Sequence, residues 1–208
     1  MYVAKVDRAL GDDEWRAFVD SQRFGHMIAQ GTDREFPVVV PTQFVLEGDA
    51  VFMHFANPNP VLDALGENPR AVMSVAGDWA FVPSDWKAIG DEDPALGIPT
   101  TYYAAVQLRG KASIAADPAE TAAVLRRQLS ILQPGTPVAD PEQAHPNKLK
   151  AIRGVTLQVE EVVAKFKYGG NVDEAHRRAV IERLHDRAGP GDGAAAAHVE
   201  RRLADPRA

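Results

Sequence analysis

The chain has 208 residues, of which 45% are hydrophobic and 25% charged, a composition in the ordinary globular range that excludes wholesale disorder, collagen-like repeats and coiled coil. It contains no cysteine, which removes disulfides, thiol nucleophiles, iron–sulfur clusters and thiolate zinc sites. The formal charge of −6, from 23 basic and 29 acidic residues, does not favour a polyanion, so nucleic acid binding would need a local basic patch.

The N-terminal stretch MYVAKVDRALGDDEW is acidic where a signal peptide needs an apolar core, and no apolar run approaches the ~20 residues of a membrane span. The expectation is a cytoplasmic protein. Asp12 and Asp13 precede Trp15, Phe18 and Val19 at helical spacing, predicting a short first helix. A strand is expected from Phe24 to Gln30, then a turn at Gly31-Thr32-Asp33. Phe36 to Leu46 reads as one strand, with Pro41 needing an edge or a bulge. Glu47-Gly48-Asp49 turns it into a second strand, Ala50 to Phe55, as a hairpin.

Asn59 with Pro60 predicts the capped start of a short helix carrying Val61, Leu62 and Leu65. Strands are expected over Arg70–Ala76, Trp79–Val82 and Thr100–Ala115, the last two separated by a polar loop. Asp117-Pro118 opens an amphipathic helix to Leu132, with Ala122, Leu125, Leu129 and Leu132 as its apolar face. Residues 133–147 read as an irregular loop. Arg153 to Val163 alternates as a half-buried strand, and Asp173 to Arg187 is a helix. A Gly/Ala-rich tail, 189–208, follows the expected domain of 1–188 and can hold a further short helix.

The sum is a mainly β chain with peripheral helices, an antiparallel barrel rather than a doubly wound parallel sheet. Walker, dinucleotide-binding, nucleophile-elbow and HExxH motifs are missing. Three places carry chemistry. His54 ends a strand just before Asn57 and a helix start, where a ligand can reach backbone donors. Trp86, Thr100, Thr101, Tyr102 and Tyr103 flank the long loop and offer stacking surface and hydroxyls; an ordinary core strand is the plainer reading. Lys165 and Lys167 alternate across Phe166 before Gly169-Gly170-Asn171, a possible anion cradle or a lysine-blunted strand edge.

These segments together resemble the PaiB-like family of FMN-binding split-barrel proteins, often labelled negative transcriptional regulators. Met1-Tyr2-Val3 matches its start, and Met53-His54-Phe55-Ala56-Asn57-Pro58 its H-x-A-x-x-NP segment. Trp79 to Trp86 matches an aromatic-V-S-P segment and Ile98 to Tyr103 a VPTWNY segment. Arg153-Gly154-Val155 and Lys165 to Asn171 match a G-I-x-G and a KxKLSQN segment. The chain departs from the pattern where Leu-Ser-Gln becomes Tyr168-Gly169-Gly170, where the NP segment is short, and where the loop before Pro99 is long.

The resemblance implies a split β-barrel homodimer with a cofactor site near the subunit interface. It implies FMN, held by His54, Asn57, Trp86, Thr100, Thr101, Tyr102, Lys165, Lys167 and Asn171, and a flavin-dependent oxidoreductase acting on an unidentified small molecule. Its alternative is haem b, since one PaiB-like branch is a haem-dependent piperazate synthase; His54 is then the axial ligand. A transcriptional regulator is the further alternative, but the region from Asp173 to Arg207 has seven arginines against seven acidic residues and is neutral.

Overall fold

In chain order the elements are α1 (Asp12–Gln22), β1 (Phe24–Ala29), β2 (Val38–Gln43), β3 (Val45–Glu47), β4 (Ala50–Ala56), α2 (Pro60–Glu67), β5 (Arg70–Val82) and β6 (Thr100–Ile114). Then come α3 (Pro118–Leu132), α4 (Pro141–Ala144), α5 (Pro146–Leu149), β7 (Ile152–Lys167), α6 (Glu174–Arg187) and α7 (Asp192–Ala204). The computed structural model describes residues 1–205. The strands run β2-β1-β5-β6-β7-β4-β3 in one sheet. The protein is mainly β with peripheral helices, of the antiparallel split-barrel class. No helix among the described residues is long and apolar enough to cross a membrane.

The chain divides into two compact units. The sheet unit comprises Val19–Val75 and Gln107–Val163. In it β1 pairs with β2 (Phe24↔Gln43) and with β5 (His26↔Ser74), while β4 pairs with β7 (Ala50↔Gln158 to Ala56↔Ile152). Met27, Met53, Met73, Leu108 and Leu157 are fully buried. The period of two puts each of them on the inner side of its strand.

The expected single strand from Phe36 to Leu46 is two. Phe44 is fully buried and gives its N–H to the Arg23 carbonyl at 3.1 Å, which interrupts the ladder. Its first half therefore pairs with β1, and only β3 forms the hairpin with β4. Pro41 lies on β2, the last strand of the order, where a missing N–H costs no ladder bond. Asn59 accepts the Val61 N–H at 3.1 Å and caps α2 as its position predicts.

On α3 the buried face is Thr121, Ala122, Val124 and Gln128, rotated from the expected leucine stripe. Gly154 explains the rotation. A Cβ there would stand 3.0 Å from Val124, and its N–H donates to Thr121 Oγ1 at 3.2 Å, so the helix seats directly on β7. The expected loop after α3 contains α4 and α5, each opened by a proline.

The terminal unit comprises Met1–Phe18, Ala76–Val106 and the chain from Ala164 on. β5 is one strand where two were expected: Asp78 takes a left-handed conformation, φ +50°, without ending it. The residues from 189 on contain α7, which follows its N-cap Gly191 (φ +84°) and holds Ala195, Ala196, His198, Val199 and Arg202 buried. The last three residues of that tail lie outside the described ones. His198 stacks on Tyr168 (4.4 Å between centroids, 8° between planes) and lies 2.8 Å from Asp78 Oδ2. Arg202 grips Glu14 through Nη1 at 3.0 and 3.1 Å.

Candidate functional site

In the sheet unit, strand alternation turns Phe55 inward and His54 outward at the end of β4. His54 Nδ1 lies 2.8 Å from Gln128 Oε1, and Gln128 is itself 3% exposed. The amide oxygen can only accept, so Nδ1 donates, and the neutral tautomer that fits this contact has its lone pair on Nε2. A ring oriented from behind by a buried partner is arranged as metal-binding or proton-accepting imidazoles are. Nothing in the sequence marks Gln128, which lies 74 positions away. Asn57 sits two residues beyond the strand's hydrophobic end, exposed, its amide donating to the Lys150 carbonyl at 2.6 Å.

The other expected residues belong to the terminal unit. At the head of β6, Thr100 accepts a hydrogen bond from Lys167 Nζ at 2.6 Å. Lys167 follows Phe166, which is fully buried, so alternation holds the lysine on the opposite side of β7. Lys87, half-buried in the 3₁₀ turn Ser84–Lys87, has its ammonium pKa lowered, first by burial and then by the charge of Lys167. Among the described residues neither ammonium has a carboxylate partner within ion-pair distance. Two ammonium groups and a hydroxyl therefore converge with no carboxylate in contact, while Glu92 and Asp93 line a cavity together with Lys87.

Lys165 is engaged elsewhere: Asp7 Oδ2 stands 3.6 Å from its ammonium and the Tyr2 carbonyl 3.4 Å. Tyr102 is 1% exposed and faces inward, its ring edge-on to Tyr168 at 6.0 Å and 74°. Thr101 is half-buried on the alternate side of β6. The Arg187 guanidinium lies 4.4 Å over the ring of Trp86 and covers one of its faces. Asn171 is exposed in the turn that leads to the Asp173 cap of α6.

Sequence inspection singled out Trp86 and Lys167 but missed Lys87 between them in the chain. Its signal is the coincidence of a lysine with a proline-capped 3₁₀ turn. Trp79 and Phe81 also belong to the terminal unit, 60% and 49% exposed on one side of β5. Two large apolar side chains at strand spacing make a patch that water does not favour. No cluster of three or more His, Asp or Glu side chains suited to a metal ion occurs among the described residues.

The fit to a flavin mononucleotide can be judged from these groups. Its phosphate needs cations without a carboxylate in contact and a hydrogen-bonding hydroxyl; Lys87 and Lys167 present the first and Thr100 the second.

Residues 1–161 match the family described as “Putative FMN-binding domain”. The Bacillus subtilis (strain 168) protein named protease synthase and sporulation protein PAI 2 is 24% identical over 196 residues, spanning 91% of this chain and 92% of that one. Among solved structures, the flavocytochrome of Azotobacter vinelandii superimposes with a TM-score of 0.58 at 23% identity, over 82% of this chain and 74% of that one. The FAD and haem binding protein of Mycobacterium smegmatis gives 0.60 at 19% identity, over 82% and 78%.

Proposed function

The chain belongs to the PaiB-like FMN-binding split-barrel family, and from that premise we propose that it binds FMN and works as a homodimeric, cytoplasmic flavin-dependent oxidoreductase on a small molecule. The observation that carries the reading is the group of Lys87, Lys167 and Thr100, whose ammonium groups have no carboxylate in contact. These side chains would hold the phosphate: Lys167 and Lys87 by charge, Thr100 by its hydroxyl. Bound flavin supplies the electron or hydride transfer. The exposed pair Trp79 and Phe81 supports the dimer, because a second copy covering β5 removes that apolar surface from water. Thr101 and Asn171 remain polar contacts for the ligand's edge, and Trp86 offers its one open face.

Titration of FMN into the purified chain, followed by flavin fluorescence and absorbance, tests the proposal. Saturable binding at micromolar protein is expected, weakened at least about tenfold, or ~1.4 kcal/mol, by Lys167→Met. An unaltered flavin signal at micromolar protein refutes it.

A second reading is haem binding with His54 as axial ligand. It is favoured by the free Nε2 lone pair that the Gln128 contact leaves on an exposed ring. The names of two similar solved proteins, a flavocytochrome and an FAD and haem binding protein, support the same possibility. Added haem then gives a Soret band that shifts in His54→Ala. An identical spectrum in that variant removes His54 from the role.

A further inference from the structure

Within the terminal unit lies a second cationic cavity, of about 560 Å³. That volume is ordinary for binding a metabolite. Its walls include Lys5, Arg8, Gly170, Arg177 and Arg202, and no acidic side chain. Gly170 makes the close wall possible, because a Cβ there would overlap the carbonyl of Val6.

The charge in the cavity is unbalanced. Arg202 is neutralised by Glu14, and its Nη2 donates to the Arg8 carbonyl at 3.0 Å, so it shapes the wall rather than facing a ligand. Asp7 adjoins the cavity residues in sequence, but its carboxylate stands against Lys165. Lys5, Arg8 and Arg177 are left without a carboxylate in the lining.

Hydrogen bonding is unbalanced at the lining residue Arg177 and at Tyr102 behind the wall. Arg177 Nε is buried with no partner, and so is the Tyr102 hydroxyl. Both flank Gly169, where a Cβ would overlap the Tyr102 oxygen and come 3.5 Å from Arg177 Cγ. Burial pushes the Tyr102 phenol up to about 12, so at neutral pH it is an O–H group able to donate. Buried donors without an acceptor are rare in native structures and mark a place where something supplies oxygen. A guanidinium with two flanking cations selects an oxyanion over a neutral acceptor.

We propose that this cavity binds a small molecule bearing multiple anionic oxygens, a phosphate ester or a polycarboxylate, with Arg177 as its principal contact and Lys5 and Arg8 beside it. The site is independent of the flavin reading, since neither Lys87 nor Lys167 lines it. Its ligand enters from the N-terminal side, where Lys5 and Arg8 are exposed.

Calorimetric titration of the full chain with inorganic phosphate and with citrate, against potassium chloride at matched ionic strength, tests it. Saturable heat with one or both oxyanions and none with chloride is expected; phosphate alone assigns the ester class, citrate alone the polycarboxylate class. Arg177→Met and Arg8→Gln should each weaken binding at least tenfold, and saturating FMN should leave it unchanged. Arg8 is exposed, so its variant serves if Arg177→Met fails to fold. Absence of saturable oxyanion binding, full binding in both variants, or displacement by FMN would each overturn the proposal.

Discussion

Replacing Arg202 by methionine isolates what the Glu14 ion pair contributes. Both side chains are nearly buried, Arg202 at 4% and Glu14 at 6% exposure. The substitution keeps the bulk of the side chain but removes two hydrogen bonds to the carboxylate and those to the Val6 and Arg8 carbonyls. Breaking a buried pair from one side costs about 3–5 kcal/mol, because the other charge is left behind without compensation. Glu14 retains the Leu10 N–H at 2.7 Å and Arg201 at 3.7 Å, which places the cost near the lower end. At about 2–4 °C per kcal/mol for a chain of this length, the melting point should fall by roughly 6–12 °C for a ~3 kcal/mol loss. Thermal melts followed by circular dichroism at pH 7 measure it. The double variant Glu14→Gln, Arg202→Met should recover a good part of the loss, since no charge is then stranded. A single variant that melts within about 2 °C of the parent, or a double variant that is worse than the single by the full cost of a second lesion, refutes the reasoning.

Two other expectations concern the sheet and the long loop. A Cβ at Gly110 on β6 would overlap the carbonyl of Gln158 on β7, so Gly110→Ala should exceed the ~1–3 kcal/mol usual for overpacking and abolish soluble protein; a soluble variant with the parent's near-ultraviolet spectrum counts against it. His176 lies 2.7 Å from Asp173 and 2.8 Å from Glu92, and its pKa is raised above 6.5, first by Asp173 and then by Glu92. The clamp on the loop is therefore complete below about pH 6.5 and lost as pH rises through the folded value. On the acid side the two carboxylates, held below their ordinary range by His176, lose their share only as pH falls through those lowered values. Hydrogen exchange at the Ile89 and Glu92 amides, corrected for intrinsic rates, should be faster at pH 8.5 than at pH 6, with the difference gone in His176→Gln; a difference that persists in the variant sinks the assignment.

Period and punctuation made most strands and helix starts legible. Asn59-Pro60 and Asp117-Pro118 carry their caps in adjacent residues, and β7 alternates from Val155 to Glu160 before the phase is lost ahead of Phe166. What local pattern could not carry was long-range replacement of local rules. Phe44 breaks a strand because its N–H finds Arg23, and Asp78 keeps one going despite a left-handed backbone. The orientation of α3 depends on Gly154, 30-odd positions away, where no leucine count can register it. The same holds for the site. Thr100 and Lys167 stood out by type, but their contact spans 67 positions, and Gln128 behind His54 carries no motif at all. Tyr102 shows the reverse case: a residue with the right chemistry whose strand parity turns it into the core.

The terminal unit is assembled from three separated stretches of chain, and this sets an order of events during synthesis. Glu14 leaves the ribosome 188 residues ahead of the arginine that will neutralise it. At about 5–20 residues per second that interval lasts roughly 10–40 s, during which the carboxylate stays hydrated and α1 has no final seat. The sheet unit's own residues end at Val163, ahead of that arginine in the chain. The terminal unit can close only once α7 has emerged, because that helix carries the arginine Glu14 awaits.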